Sequence, residues 1–68
     1  MASKLRVEVI EVANMQISNK IYEDYKANIE KKFTVLLKQL SLRWIITGEQ
    51  LNCILAKQEI ARCAMELQ

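Results

Sequence analysis

The stretch SNKIYEDYKANIEKKFTVLLKQLSLRWII, residues 18–46, contains neither glycine nor proline. Placed at about 100° per residue, Tyr22, Tyr25, Ile29, Phe33, Leu36, Leu37, Leu40 and Trp44 fall within an arc of roughly 120°. Lys20, Glu23, Lys31, Thr34, Lys38 and Ser41 lie outside it. Lys26 falls within the arc and reaches water along its stem. Ser18 is an N-cap candidate. This spacing predicts one long amphipathic helix over 19–45.

Thr47-Gly48-Glu49-Gln50 breaks the pattern. Thr47 followed three residues later by Gln50 reads as a capping box, which opens a third helix over 48–67. So short a connection makes the two long helices antiparallel neighbours. The apolar side chains of the third helix occupy roughly 240° of its circumference, whereas covering one core takes nearer 100°. Leu51, Ile54, Ala61 and Met65 form one face, and Cys53, Ala56, Ile60, Cys63, Ala64 and Leu67 form another. The first is assigned to a core shared with Tyr25, Ile29, Phe33, Leu36 and Leu40. The second, represented by Cys53, Ala56, Ile60, Ala64 and Leu67, is assigned to a partner, because the short N-terminal segment would cover only part of it; the alternatives are a closed three-helix domain and the opposite assignment of the two faces.

The N-terminal segment over 4–16 has Ser3 as a candidate N-cap. Leu5, Val9 and Val12 recur at helical spacing. Leu5, Val7 and Val9 also alternate, and the segment is rich in β-branched residues, so a strand is the alternative. Helix is preferred because no second strand is apparent to pair with it. The expected architecture is therefore all-α, a short N-terminal helix followed by an antiparallel two-helix hairpin, in a single small domain spanning 1–68.

A chain of 68 residues is marginal alone and usually relies on a disulfide, a metal or a partner. The two cysteines, Cys53 and Cys63, sit on one predicted helix about 15 Å apart, beyond the reach of a disulfide. They read as small buried hydrophobes. There is no histidine, which excludes Ser-His and Cys-His catalysis and any His-ligated metal site. No cofactor is implied, and no carboxylate pairs with a nucleophile in a recognisable motif, so no enzyme is expected. Ten basic against eight acidic residues, net +2, give no strong attraction to nucleic acid or to an anionic membrane. No apolar run approaches the ~18 residues of a membrane span. The expectation is a soluble, cytoplasmic protein that works by binding another protein.

The C-terminal stretch GEQLNCILAKQEIARCAMEL, residues 48–67, resembles the YscE-like family, small bacterial co-chaperones of type III secretion needle subunits. Gln50 matches the family's entry Gln into the last helix, and Glu59 and Ala64 fall at matching offsets. Leu51 stands where the family often has Tyr, and the β-branched first segment is a second departure. The resemblance covers about twenty residues in sequence, and Ser18 to Leu67 in expected architecture. It implies a heterotrimer in which this chain and a larger helical-repeat chaperone hold a needle subunit soluble and unpolymerised in the bacterial cytoplasm. It calls for no metal or nucleotide. The alternative is a homo-oligomeric helical hairpin, structural or regulatory, with a homodimer when free.

Overall fold

The computed structural model describes residues 5–68, and Ser3, the expected first cap, lies outside the described residues. The fold is α+β. Strand β1 spans Leu5–Glu11, helix α1 Met15–Asp24 and helix α2 Lys26–Phe33. Strands β2, Leu36–Leu40, and β3, Arg43–Glu49, form a hairpin, and helix α3, Gln50–Glu66, closes the chain. The sheet order is β1-β3-β2, with β3 in the centre and antiparallel to both neighbours. The all-α expectation is thus corrected, and so are its boundaries.

Within the segment over 4–16, Leu5–Glu11 is a strand that pairs residue for residue with β3, from Leu5 opposite Glu49 to Glu11 opposite Arg43, and Met15 and Gln16 open α1. It finds a partner because the span 19–45 is not one helix. Asn14, not Ser18, caps α1, its side chain accepting from the Ile17 amide at 2.9 Å. Tyr25, at φ −121°, separates α1 from α2. Thr34 ends α2 in the left-handed region, at φ 53°, with its amide bonded to the Glu30 carbonyl. From Leu36 the chain runs as strand. Leu40 faces Arg43 across the two-residue turn Ser41-Leu42. Ser41 has φ 59°, the sign that a tight hairpin turn asks of its first central residue.

The expected capping box is not formed. Thr47 and Gly48 belong to β3, and α3 starts at Gln50 with Glu49 as its N-cap and no side-chain cap bond. Gly48 is required for packing rather than for a turn. A Cβ there would lie 2.9 Å from Val35 Cγ1 and 3.4 Å from the Thr34 carbonyl oxygen.

The helices pack on one face of the sheet. Trp44 and Ile46 of β3 and Leu37 of β2 enter the core with Val12, Ile17, Ile21, Ile29, Val35, Cys53, Ala56, Ile60, Cys63 and Ala64. One polar side chain is buried among them, Ser18, and its hydroxyl is fully used. It donates to the Ser41 carbonyl at 2.7 Å and accepts from Gln39 Nε2 at 2.6 Å and Trp44 Nε1 at 3.1 Å. A hydroxyl offers one donor and two lone pairs, so nothing is left unsatisfied. This node ties α1 to both strands of the hairpin.

Candidate protein interface

Strand alternation decides which residues face away from the helices. From the register, the outer face of the sheet carries Leu5, Val7, Val9 and Glu11 on β1, Arg43, Ile45, Thr47 and Glu49 on β3, and Leu36, Lys38 and Leu40 on β2. No described helix lies over this face. Leu5 is 71% exposed and Leu36 70%, and Val7, Val9 and Leu40 are exposed as well.

The polarity of β1 is the reverse of what a half-covered strand usually shows. Its apolar residues Leu5, Val7 and Val9 point to the open side. Arg6 and Glu8 share the inner side with Ile10. Glu8 is accommodated there by Lys57 of α3, whose Nζ lies 3.3 Å from its carboxylate. Fully burying a Val or Leu side chain gains about 1.5–3 kcal/mol, and the outer face forgoes much of that gain at five positions, Leu5, Val7, Val9, Leu36 and Leu40, with Ile45 half-buried among them. Exposed apolar residues grouped on one open face make that face the candidate interaction surface.

Helix α3 carries the second apolar surface. The partner-binding set read from the sequence, Cys53, Ala56, Ile60 and Ala64, is buried in the core, with Leu67 partly buried against it. The face read as core is the exposed one: Leu51 is 65% and Met65 74% exposed, Ile54 is exposed, and Ala61 is half-buried. The helix is two-faced as expected, with the two faces exchanged. The reason lies in side-chain size. Cys53, Ala56, Cys63 and Ala64 let α3 settle closely onto β1 and β3, whereas Leu51 and Met65 would hold it off. Of the remaining expected core, Ile29 is buried and Tyr25 and Phe33 partly so, whereas Leu36 and Leu40 lie on the outer sheet face.

Neither surface carries evident chemistry. Cys53 and Cys63 are free and buried. Burial pushes both thiols above their ordinary range, with Glu8 adding to the effect at Cys53 and Glu59 at Cys63, which leaves them protonated and poorly nucleophilic at neutral pH. Among the described residues no group of three His, Cys, Asp or Glu is placed to hold a metal ion. Lys20, Lys26, Lys57 and Arg62 are paired with Asp24, Glu30, Glu8 and Glu59. A glycine-rich clamp for a nucleic-acid backbone, of the GXXG type, has no counterpart, since the one glycine is Gly48 within β3. Among the described residues no helix is long and apolar enough to cross a membrane.

Comparison with protein-family models, curated proteins and solved structures yields no significant match. The YscE-like resemblance therefore rests on residues 48–67 alone. The helical hairpin that extended it back to Ser18 is replaced by two helices and a β-hairpin.

Proposed function

We propose that this chain is a protein-binding subunit whose outer sheet face covers an apolar helix of another protein. The observation that carries the reading is the inverted polarity of β1, which turns Leu5, Val7 and Val9 outward and Arg6 and Glu8 inward. A flat, apolar face without enclosure suits a macromolecule better than a small ligand. Its charges, Lys38 and Arg43 against Glu11 and Glu49, are mixed, which disfavours nucleic acid and anionic lipid. Covering an apolar helix is also what the co-chaperone role implied by the YscE-like resemblance would require. A needle subunit held together with a helical-repeat chaperone is thus the first named candidate.

A second reading has one observation in its favour. Two copies packed face to face about a two-fold axis running across the strands would set Arg43 of one opposite the partner's Glu49. That would make a homo-oligomer of the sheet face itself.

The test is affinity capture from the native cell with the wild-type chain and with Leu36→Lys and Ile45→Lys, which charge the outer face without touching the core. Loss of the same captured protein in both variants, with circular dichroism unchanged, supports the reading. Capture that survives both overturns it. Recovery of the chain with itself alone, lost in both variants, selects the second reading. Binding to single-stranded RNA that collapses between low and physiological salt, the signature of phosphate contacts, would replace both.

A further inference from the structure

The two edges of the sheet are treated differently. At the β2 edge, Glu30 of α2 reaches across and its carboxylate accepts from the Leu37 amide at 2.9 Å, while Lys26 holds the carboxylate at 3.3 Å. Lys38 adds a charge to the same strand. These are familiar ways of closing an edge against further pairing. At the β1 edge, Arg6, Glu8 and Glu11 supply charge, but among the described residues no side chain is bonded to an open backbone amide.

The free groups of β1 are set by the ladder. The Val12 amide bonds to the Leu42 carbonyl at 2.9 Å, continuing the β1–β3 pairing. Hydrogen-bonding direction alternates along an antiparallel strand. Ile10, Glu8 and Arg6 therefore turn their backbone groups toward β3, and Leu5, Val7, Val9 and Glu11 turn theirs to the open edge.

We infer that β1 pairs antiparallel with β1 of a second copy, about a two-fold axis at Val7, to form a six-stranded sheet. In that register Val7 bonds to the partner's Val7, and Leu5 faces the partner's Val9. Arg6 falls directly opposite the partner's Glu8, twice by symmetry. Centring the pair on Glu8 would oppose two carboxylates, and centring it on Arg6 two guanidinium groups. Opposite charges placed directly across a ladder favour pairing and like charges oppose it.

Helix α3 supports the same geometry. Cys53 Sγ lies 3.5 Å from the Arg6 carbonyl and Lys57 bridges to Glu8 at 3.3 Å, so α3 runs alongside β1 in the same direction. Lys57 stands on the helix surface between the buried face and the exposed stripe of Ile54, Ala61 and Met65, which places that stripe on the β1 side of the molecule. Because the axis stands perpendicular to the sheet, the helices of both copies lie on one side. With strands about 4.8 Å apart and α3 seated over β1 and β3, the two α3 axes come to about 10 Å. That is the contact distance of packed helices. The β1 edge and the exposed stripe of α3 are thus satisfied by one operation. The outer sheet faces remain open side by side, so this contact does not compete with the binding of a partner helix on those faces.

The test is oxidative cross-linking read by mass, with the wild-type chain as control. Val7→Cys alone should give a disulfide-linked dimer, because opposed residues lie about 5.5 Å apart, within disulfide range. Val9→Cys alone should not, and Leu5→Cys mixed with Val9→Cys should. Arg6→Glu should raise the dimer dissociation constant about tenfold by converting both charge pairs to repulsion, and Ile54→Glu should weaken the dimer while leaving the helix signal intact. A Val7→Cys chain that stays monomeric under oxidation, or Val9→Cys linking to itself as readily, overturns the inference. Either result can occur while Ile45→Lys still abolishes partner capture, so the two proposals fail separately.

Discussion

The indole Nε1 of Trp44 donates to the hydroxyl of Ser18 at 3.1 Å inside the core. Both residues are fully buried, and the hydroxyl also receives Gln39 Nε2 and gives its own proton to the Ser41 carbonyl. Removing it strands the buried Trp44 donor and takes one partner from the part-buried Gln39 amide, which keeps Asn19, and from the Ser41 carbonyl; a buried polar group left unpaired costs about 1–3 kcal/mol. Ser18→Ala should therefore lose about 2–3 kcal/mol in urea unfolding, a large effect for the loss of one oxygen. A loss below about 0.5 kcal/mol, within the range of ordinary surface substitutions, would show that the node is not structural.

Gly48 and Val35 form a second close relationship, between β3 and the entry to β2. In a strand, alanine would ordinarily be favoured over glycine by about 0.5–1 kcal/mol. Here the added methyl would meet Val35 Cγ1 at 2.9 Å, and the β-branched valine has little rotamer freedom with which to withdraw. Gly48→Ala should destabilise the fold by about 1–3 kcal/mol, as overpacking does. In a Val35→Ala background the same change should cost clearly less. A double-mutant cycle that shows no coupling would remove the steric explanation.

These two sites also explain why residues 18–46 read as a helix. Strands β2 and β3 are apolar on both faces: Leu37, Trp44 and Ile46 point inward, and Leu36, Leu40 and Ile45 point outward. A strand of that kind does not alternate cleanly. The apolar positions 36, 37, 40 and 44 of these strands, following Phe33 of α2, happen to satisfy the helical interval. The contrary signals were local, namely the run Ile45-Ile46-Thr47 of β-branched residues and the pair Ser41-Leu42, whose turn geometry shows no glycine or proline in sequence. Strand β1 was legible as an alternative, since Leu5, Val7 and Val9 alternate, but it needed β3 before it could be accepted. Helix α3 was found nearly to its ends, and its double apolar character was correct. Which face was core could not be read from hydrophobicity, because the deciding quantity was how closely small residues let the helix approach a sheet not yet recognised.

The buried thiols give the protein a pH dependence of definite sign. Cys53 and Cys63 are raised above the ordinary value of 9.0, chiefly by desolvation. The folded state thus keeps protons that the unfolded chain releases. Their contribution is whole below pH 9 and is lost as the pH rises from there through the folded values. Lys20, raised by its hydrogen bond to Asp24, acts in the same direction at higher pH. The urea midpoint should be flat from pH 7 to 8.5 and fall by pH 10. Cys53→Ala/Cys63→Ala should fall less over the same interval, and an equal fall would assign the dependence to other groups. Native protein should react with a thiol reagent at neutral pH far more slowly than protein unfolded in urea.

The opposite faces of α3 provide the sharpest contrast between fold and association. Ile60 is fully buried beneath the helix, and Met65, five residues on and about 140° around it, is 74% exposed. A carboxylate at position 60 would be an unpaired charge in the core, where desolvation alone costs several kcal/mol, comparable with the whole stability of a domain this small. Ile60→Glu should therefore abolish the cooperative thermal transition and collapse the helical circular dichroism signal. The milder Ile60→Ala should fold with a loss of about 2–5 kcal/mol. At protein concentrations where the chain is monomeric, Met65→Glu should melt within a degree or two of the parent, since an exposed substitution is worth at most about 0.5 kcal/mol. Should Ile60→Glu stay folded while Met65→Glu unfolds, the burial of the two α3 faces would be inverted, and with it the placement of the exposed stripe beside β1.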